Sequence, residues 1–465
     1  MNSPHTVEGQ PPGAVDPLAP RSLPRVLGLF SATMVVVGSI IGSGIFLKVG
    51  NVDAALQAWG FGPIIGVWAL VGLVTLAGSL AMGELAAMYP HAGGPYIYLR
   101  EAFGKPVGFL WGWTEFWVVR TGSIGALASA TVIYLDQVVP ITRFQQASLA
   151  SLIVIGLSAI SLFSTRWGAA VQNVATVAKV AFLGLIITLP VLLGHANAEN
   201  LTPLWQGNIS GDFLRGLGLA MVAVMWAYDG WINIGPVAED IRNPERNLPL
   251  ALIVGLSVII TVYVGANLGY HFVLSMSQIA ETKTVAADVF QVMFGETGRN
   301  LAALGVMCST FGATNSNMIV GPRIYLAIAR DGLLPASIHR VHDVFETPAN
   351  AILLQAAWTV SLIVLFYTWK DDPKAAFDGL TDSVICAGLI FYSLTVAAVY
   401  VLRRKHPHAA RPYRTWGYPV TPALMIAAYL AVFVGMLLEQ WQESVGVLGL
   451  IAAGIVYYAI FNRRR

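Results

Sequence analysis

Polar positions are sparse along this chain, and apolar runs of about 20 residues recur from one end to the other. At about 1.5 Å rise per residue, such a run crosses a hydrocarbon core of about 30 Å as an α-helix. The pattern predicts twelve spans, over 26–50, 62–88, 107–137, 148–164, 168–193, 212–238, 249–275, 297–329, 349–369, 381–402, 420–438 and 445–462. Polar connections bearing proline or glycine separate them, such as PHAGGPYIYLREAFGKP (90–106), EDIRNPERNLP (239–249) and RRKHPHAARPYRTWGYP (403–419).

Composition sharpens this picture. Hydrophobic residues make up 56% of the 465 and charged residues 11%, against about 25% charged in ordinary soluble domains. A water-soluble chain of this size needs more polar surface. The expected fold class is therefore an all-α polytopic membrane protein, built as one bundle. Residues 1–23 are polar and rich in proline, without the basic start and short apolar core of a signal peptide. They read as a disordered cytoplasmic tail. The transmembrane domain then covers 24–462, and 463–465 form a second cytoplasmic tail.

Cys308 and Cys386 both lie in apolar runs, so neither a disulfide framework nor a metal site is expected. There is no H-E-x-x-H, no phosphate-binding P-loop and no G-x-S-x-G between strands. No enzyme activity, cofactor or metal is expected, and ATP-driven transport would need a second polypeptide.

The placement of charge sets an orientation. With both termini cytoplasmic, seventeen Lys and Arg residues fall on that side and seven on the other. Arg120, Lys179 and Arg323 fall inside spans. This asymmetry obeys the positive-inside rule, and the reverse orientation violates it. Because the basic residues follow the loops rather than one patch, no nucleic-acid partner is expected.

Two spans are interrupted. The first breaks at Gly42-Ser43-Gly44, inside GSIIGSGIF, and the sixth at 226–231, WAYDGW. They open successive sets of five spans, 26–193 and 212–402, with 420–462 following. Broken hydrophobic segments at matching positions of two halves point to a transporter binding site. Five spans per half would leave the halves inverted relative to each other.

Unpaired backbone groups are costly in hydrocarbon, so a break survives only where it is buried in protein or lines a wet cavity. The half-helix after the break aims free N–H groups at the gap, and the half-helix before it ends in free carbonyls. An anion site and a cation site then lie side by side, as a zwitterion requires. Gly38 and Gly42 also form a G-x-x-x-G pair, which by itself is read equally well as close helix packing.

Other polar residues lie at membrane depth. Asp229, within the second break, should face a cavity or a partner. Lys179 sits too deep to reach the interface and is expected to point into the bundle. It would serve as a fixed cation in place of Na⁺, as a titrating group, or as half of a structural pair. Glu115 and Arg120 would pair with each other or with other spans, although a spacing of five is poor for a same-face helix pair. Glu84 is expected near the cytoplasmic end of its span, and His195 and His271 at the interface.

Five motifs, in order, carry a resemblance. They are IIGSGIF (40–46), GELAAMYPHAGGPYIYLREAFG (83–104), MWAYDGW (225–231), EDIRNPERNLP (239–249) and RDGLLPASIHRVHDVFETPANAI (330–352). Over nearly the whole chain, the sequence resembles the amino acid–polyamine–organocation superfamily, and within it the L-type amino acid transporter family in its prokaryotic form. The resemblance implies the LeuT-type fold, a 5+5 inverted repeat with discontinuous helices 1 and 6 and 12 transmembrane helices. By motif position, Ser43, Gly44 and Ile45 would offer amides to a substrate α-carboxylate. Carbonyls of Ile40, Trp226 and Ala227, with Asp229 beside Gly230, would receive the α-ammonium. Trp226 would gate the site, Lys179 would occupy the sodium region of Na⁺-coupled relatives, and Ser123 would contribute to substrate selection.

Two departures stand out. Animal members have Gly-Gly where this chain has Asp229-Gly230. Animal light chains also carry a cysteine after the third span that joins a glycoprotein partner. Here that loop reads DQVVPITRFQQ, so no disulfide-linked heavy subunit is expected. The expected function is Na⁺-independent exchange of neutral L-amino acids across the plasma membrane. The alternatives are H⁺-coupled symport, transport of cationic amino acids or polyamines, and a transport-dead amino-acid sensor. A channel would show a repeated filter loop, and none is visible.

Overall fold

The computed structural model describes residues 25, 27–91, 93–163, 168–333 and 348–462. The two expected tails, 1–23 and 463–465, and residues 334–347 of the motif at 330–352 lie outside them. Among the described residues, extended pairing is confined to one isolated bridge between Leu27 and Ile241. The protein is all-α and polytopic, and eleven of its described helices are long and apolar enough to cross a membrane.

The first span is split. Helix α1 (Leu29–Ile40) stops, residues 41–43 are irregular, and the short α2 (Gly44–Leu47) resumes the path into α3 (Val49–Leu56). Helix α4 (Phe61–Met88) is continuous, and α5 (Pro95–Phe103) lies in the connection after it. The third span joins α6 (Lys105–Thr114) to α7 (Thr121–Leu135) through a π-helical turn, Glu115–Arg120. Helices α8 (Arg143–Phe163) and α9 (Gly168–Leu192) follow.

The sixth span begins as α10 (Gly211–Tyr228), breaks at Asp229 and Gly230, and resumes as a 3₁₀ helix, Trp231–Asp240. Then come α11 (Pro244–Val273), α12 (Met276–Glu281), α13 (Val285–Arg330), α14 (Ala349–Trp369), α15 (Pro373–Lys405), α16 (Val420–Glu439) and α17 (Trp441–Asn462). The span expected at 297–329 falls on α13 beyond Gly295, where a φ of 65° interrupts the helix. That stretch carries Ser309, Thr310, Thr314, Asn315, Ser316 and Asn317, so it is more polar than the eleven spans and is not one of them.

Burial orders the bundle. The apolar window of Lys105–Leu135 is 94% buried, whereas those of Val420–Glu439 and Trp441–Ile460 are 28% and 17% buried. The third span is therefore the axis, and α16 and α17 lie on the rim with Leu438 and Trp441 turned outward. Helix α1 packs on α9 and α11, and α7 packs on α13 and α15.

Two glycines let the broken helices meet. A Cβ on Gly44 would lie 2.3 Å from the Ala227 Cα, closer than atoms can approach. Gly230 has a φ of 103°, a region that side chains disfavour, and a Cβ there would lie 2.5 Å from the Ser39 carbonyl oxygen. Gly44→Ala should lower stability by about 1–3 kcal/mol, the usual cost of overpacking. Gly66→Ala, where a Cβ would meet nothing within 4 Å, should be neutral. Thermal unfolding in detergent distinguishes them, and equal melting temperatures would contradict the close approach.

Candidate substrate site

At the first break, Ile41 turns to extended backbone (ψ 92°) and Ser43 caps the resumed helix. A helix that starts here leaves its first N–H groups without a carbonyl one turn earlier. Those of Ser43, Gly44 and Ile45 have no acceptor among the described residues, whereas Phe46 and Leu47 donate to the Ser43 carbonyl at 3.1 and 2.9 Å.

The carbonyl end of α1 is answered by side chains from other helices. Lys179 Nζ, on α9, donates to the Ile41 carbonyl at 2.9 Å and the Gly38 carbonyl at 3.4 Å. Lys179 is buried and has no carboxylate partner among the described ion pairs. The structural-pair reading of this lysine is thus replaced by a cap on a helix end. Ser309 Oγ donates to the Gly42 carbonyl at 3.4 Å. The Tyr263 hydroxyl lies 3.2 Å from the Ile40 carbonyl oxygen and 3.0 Å from that of Ala227, and so ties the two breaks together. Among the described residues, the Ser39 carbonyl is left without a donor.

The second break turns on Asp229 and Gly230. Asp229 is extended (ψ 157°), and its N–H donates to the Trp226 carbonyl at 3.2 Å. The Tyr392 hydroxyl of α15 donates to Asp229 Oδ1 at 2.9 Å. Trp226 spans both breaks, because its indole N–H donates to Ser43 Oγ at 3.1 Å while its ring packs edge-on against Phe377, 6.2 Å between centroids.

Between the breaks lies a small cavity of about 30 Å³, lined by Ser39, Ile40, Gly42, Ser43, Gly44, Ser123, Leu127, Trp226, Asp229, Gly230, Asn233 and Asn317. Of the residues singled out by sequence, Ile40, Ser43, Gly44, Ser123, Trp226, Asp229 and Gly230 meet here. Ile45 and Ala227 are fully buried behind the lining. Lys179 also lies outside it, as do Gly38 and Ile41, whose carbonyls it caps. Ser123 donates to the Val119 carbonyl at 2.6 Å, which leaves its oxygen lone pairs for the cavity.

Sequence reading missed Asn233 and Asn317, because single asparagines in apolar segments carry no spacing signal. It left open whether Glu115 and Arg120 pair with each other or with other spans. They are bonded, Arg120 Nε to Glu115 Oε1 at 2.9 Å, because the intervening turn is π-helical. In a turn with i→i+5 bonds, a spacing of five brings two side chains to one face.

Charged clusters flank the site. Lys48, just after α2, pairs with Asp378 at 2.8 Å and Asp382 at 3.2 Å near the start of α15. At the opposite end, Asp331 accepts from Tyr96 and pairs with Arg100 at 2.6 Å. Burial, and then the Asp331 carboxylate beside it, hold the Tyr96 phenol well above its ordinary range, so it remains a donor. Glu84, near the end of α4, accepts from Arg403 at 2.9 and 2.6 Å and from the Thr415 N–H at 2.7 Å. His271 lies near the end of α11. It is fully buried against Asp53, 2.8 Å away. Among the described residues, no group of three or more His, Cys, Asp or Glu is placed to hold a metal.

Comparison with known proteins agrees with this architecture. A family model described as amino acid permease matches residues 27–461. The serine/threonine exchanger SteT of Bacillus subtilis (strain 168) is 30% identical over 451 residues, covering 95% of this chain and 98% of that protein. The b(0,+)-type amino acid transporter 1 of Homo sapiens is 29% identical over 452 residues, covering 95% and 88%. The large neutral amino acids transporter small subunit 2 of Oryctolagus cuniculus is 31% identical over 461 residues, covering 94% and 80%.

The capping geometry makes a prediction about Lys179. Lys179→Met strips the donor from two buried carbonyls, and an unsatisfied buried group costs about 1–3 kcal/mol. The melting temperature should fall, and amino-acid flux into proteoliposomes should drop at least tenfold. Wild-type flux in this variant would remove Lys179 from the working machinery.

Proposed function

Because the chain belongs to the amino acid permease family, we propose that it exchanges neutral L-amino acids across the membrane, independently of Na⁺, by alternating access. It is a multi-pass amino acid transporter and not an enzyme. The observation that carries the finer reading is the single cavity where free amides and a free carbonyl meet. The α-carboxylate docks on the amides of Ser43, Gly44 and Ile45. The α-ammonium docks among the carbonyls of Ile40, Trp226 and Ala227. The Trp226 carbonyl already accepts from the Asp229 N–H, and the Ile40 and Ala227 carbonyls share the single Tyr263 O–H, so the unbonded Ser39 carbonyl and Asp229 take the larger share. A carbonyl oxygen has two lone pairs, so a second donor is chemically permitted.

Na⁺ independence is supported by Lys179. Its ammonium already occupies the carbonyl end of α1, where a cation would otherwise compensate the free oxygens. Neutral side chains are supported by the lining, in which Asp229 is the one charged residue. The names of two relatives, a serine/threonine exchanger and a large neutral amino acids transporter subunit, point the same way. Trp226 is the gate, since its bonds to Ser43 and Phe377 must break for the breaks to separate on that side. Both termini are cytoplasmic in this reading. The chain works without a disulfide-linked heavy subunit, as its two cysteines lie in α13 and α15 rather than after α7.

A second reading, H⁺-coupled symport, is favoured by one observation. Asp229 faces both the cavity and the Tyr392 hydroxyl, a place where a proton could be held. Proteoliposomes separate the two. Exchange predicts uptake of labelled amino acid only when unlabelled amino acid is loaded inside, with no effect of Na⁺ or a pH gradient. Accumulation into empty vesicles under a pH gradient would replace exchange by symport. For the gate, Trp226→Ala should change substrate affinity at least threefold and raise leak without internal amino acid. Unchanged kinetics for both small and bulky substrates would rule Trp226 out.

A further inference from the structure

The Glu115–Arg120 pair has no part in the backbone site just described, yet it bonds two residues that line the same cavity, Asn233 and Asn317. Both side chains are buried, 0% and 3% exposed. Arg120 spends its guanidinium on four bonds to three acceptor oxygens. Nε and Nη2 bond Glu115, Nη1 bonds Asn317 Oδ1, and Nη2 also bonds Asn233 Oδ1 at 2.9 Å. Arginine has donors only, so each asparagine must turn its oxygen toward it. The Asn317 Nδ2 is then committed to the Ala313 carbonyl at 3.0 Å. The Asn233 Nδ2 has no bond of its own among the described residues. Asn233 is only 6% exposed, and its surroundings include the cavity.

We propose that the Glu115–Arg120 pair acts as a positioning clamp that turns the Asn233 amide N–H toward the cavity, creating a subsite for a short neutral side chain bearing an acceptor oxygen. The substrate class is a hydroxyl or carboxamide amino acid. An acidic side chain also has acceptor oxygens, but it would face Asp229 in the same small space and is disfavoured. The clamp depends on the π-turn, because in a regular α-helix residues five apart would diverge and the arginine could not serve Glu115 and both asparagines at once. A site built around a fixed donor discriminates against an isostere that cannot satisfy it, since the donor is then buried unpaired. The inference rests on the amino-acid transport reading above.

Threonine and valine are near-isosteres, and their ratio isolates this contact. In competition for exchange by the full-length protein in proteoliposomes, threonine should outcompete valine at least tenfold. Asn233→Leu should bring the two within about threefold of each other. The paired variant Glu115→Gln with Arg120→Met, which removes both charges together, should lower the same ratio through the freed amide. An unchanged ratio in Asn233→Leu, or a wild type that treats threonine and valine alike while still exchanging them, overturns the subsite and leaves the transport reading intact. Loss of valine exchange in both variants assigns these residues to bundle packing and overturns it too. Absence of exchange with any amino acid in the wild type would instead sink the transport reading, and the subsite with it.

Discussion

Everything in this bundle answers to one constraint. A helix that stops inside hydrocarbon must find partners for its terminal N–H and C=O groups. Here two helices stop, at residues 41–43 and at Asp229 and Gly230, and they stop against each other. Gly44 and Gly230 allow the approach because neither has a Cβ to hold the backbones apart. Partners for the carbonyl ends then arrive from three neighbouring helices. Lys179 comes from α9, Tyr263 from α11 and Ser309 from α13. The amides at the start of α2 have no such protein partners, and that asymmetry turns a structural defect into a place for an anion. The pattern also explains why the axis is so deeply buried. Unwound backbone at this depth needs protein on every side, and the third span supplies the wall carrying Ser123 and Leu127.

A second group of buried charges lies in the same third span and holds Asn233 and Asn317 of the lining. Burying Glu115 and Arg120 costs desolvation that one ion pair seldom offsets, so the additional bonds from Arg120 to two asparagines matter. Their geometry comes from a local change of helical period. The π-turn lengthens the repeat by one residue and aligns side chains that an ordinary helix would separate. The charged clusters of Lys48 with Asp378 and Asp382, and of Arg100 with Asp331, lie farther out. They join α3 and α5 to the ends of α15 and α13, so elements from both halves of the chain are tied on either side of the cavity.

Much of this was legible before folding. Apolar runs of membrane length located the spans, since solvent and lipid impose burial irrespective of how helices pack. The second interruption was legible because Asp229-Gly230 breaks an apolar run with a charge and a flexible residue. Conservation of polar chemistry within GSIIGSGIF was not needed to find the first, since glycines and serines in mid-span suffice to mark it. The span at 297–329 shows the limit of this approach. Its polar face of Ser309, Thr310, Thr314 and Asn317 looks inward, so hydropathy alone underrates it.

The sequence by itself determined the membrane class, the positions of the two breaks, and the pairing of Ser43 and Gly44 with Trp226 and Asp229 as one candidate site. These follow from local composition, because burying backbone in lipid permits few local solutions. Tertiary structure alone decided that Lys179 caps α1 through the Gly38 and Ile41 carbonyls, that Tyr263 joins Ile40 to Ala227, and that Ile45 and Ala227 stand behind the cavity. It alone brought Glu115, Arg120, Asn233 and Asn317 into one network. Most of these contacts join residues more than a hundred positions apart, and their partners are chosen by helix rotation and crossing, which no local pattern of residues encodes.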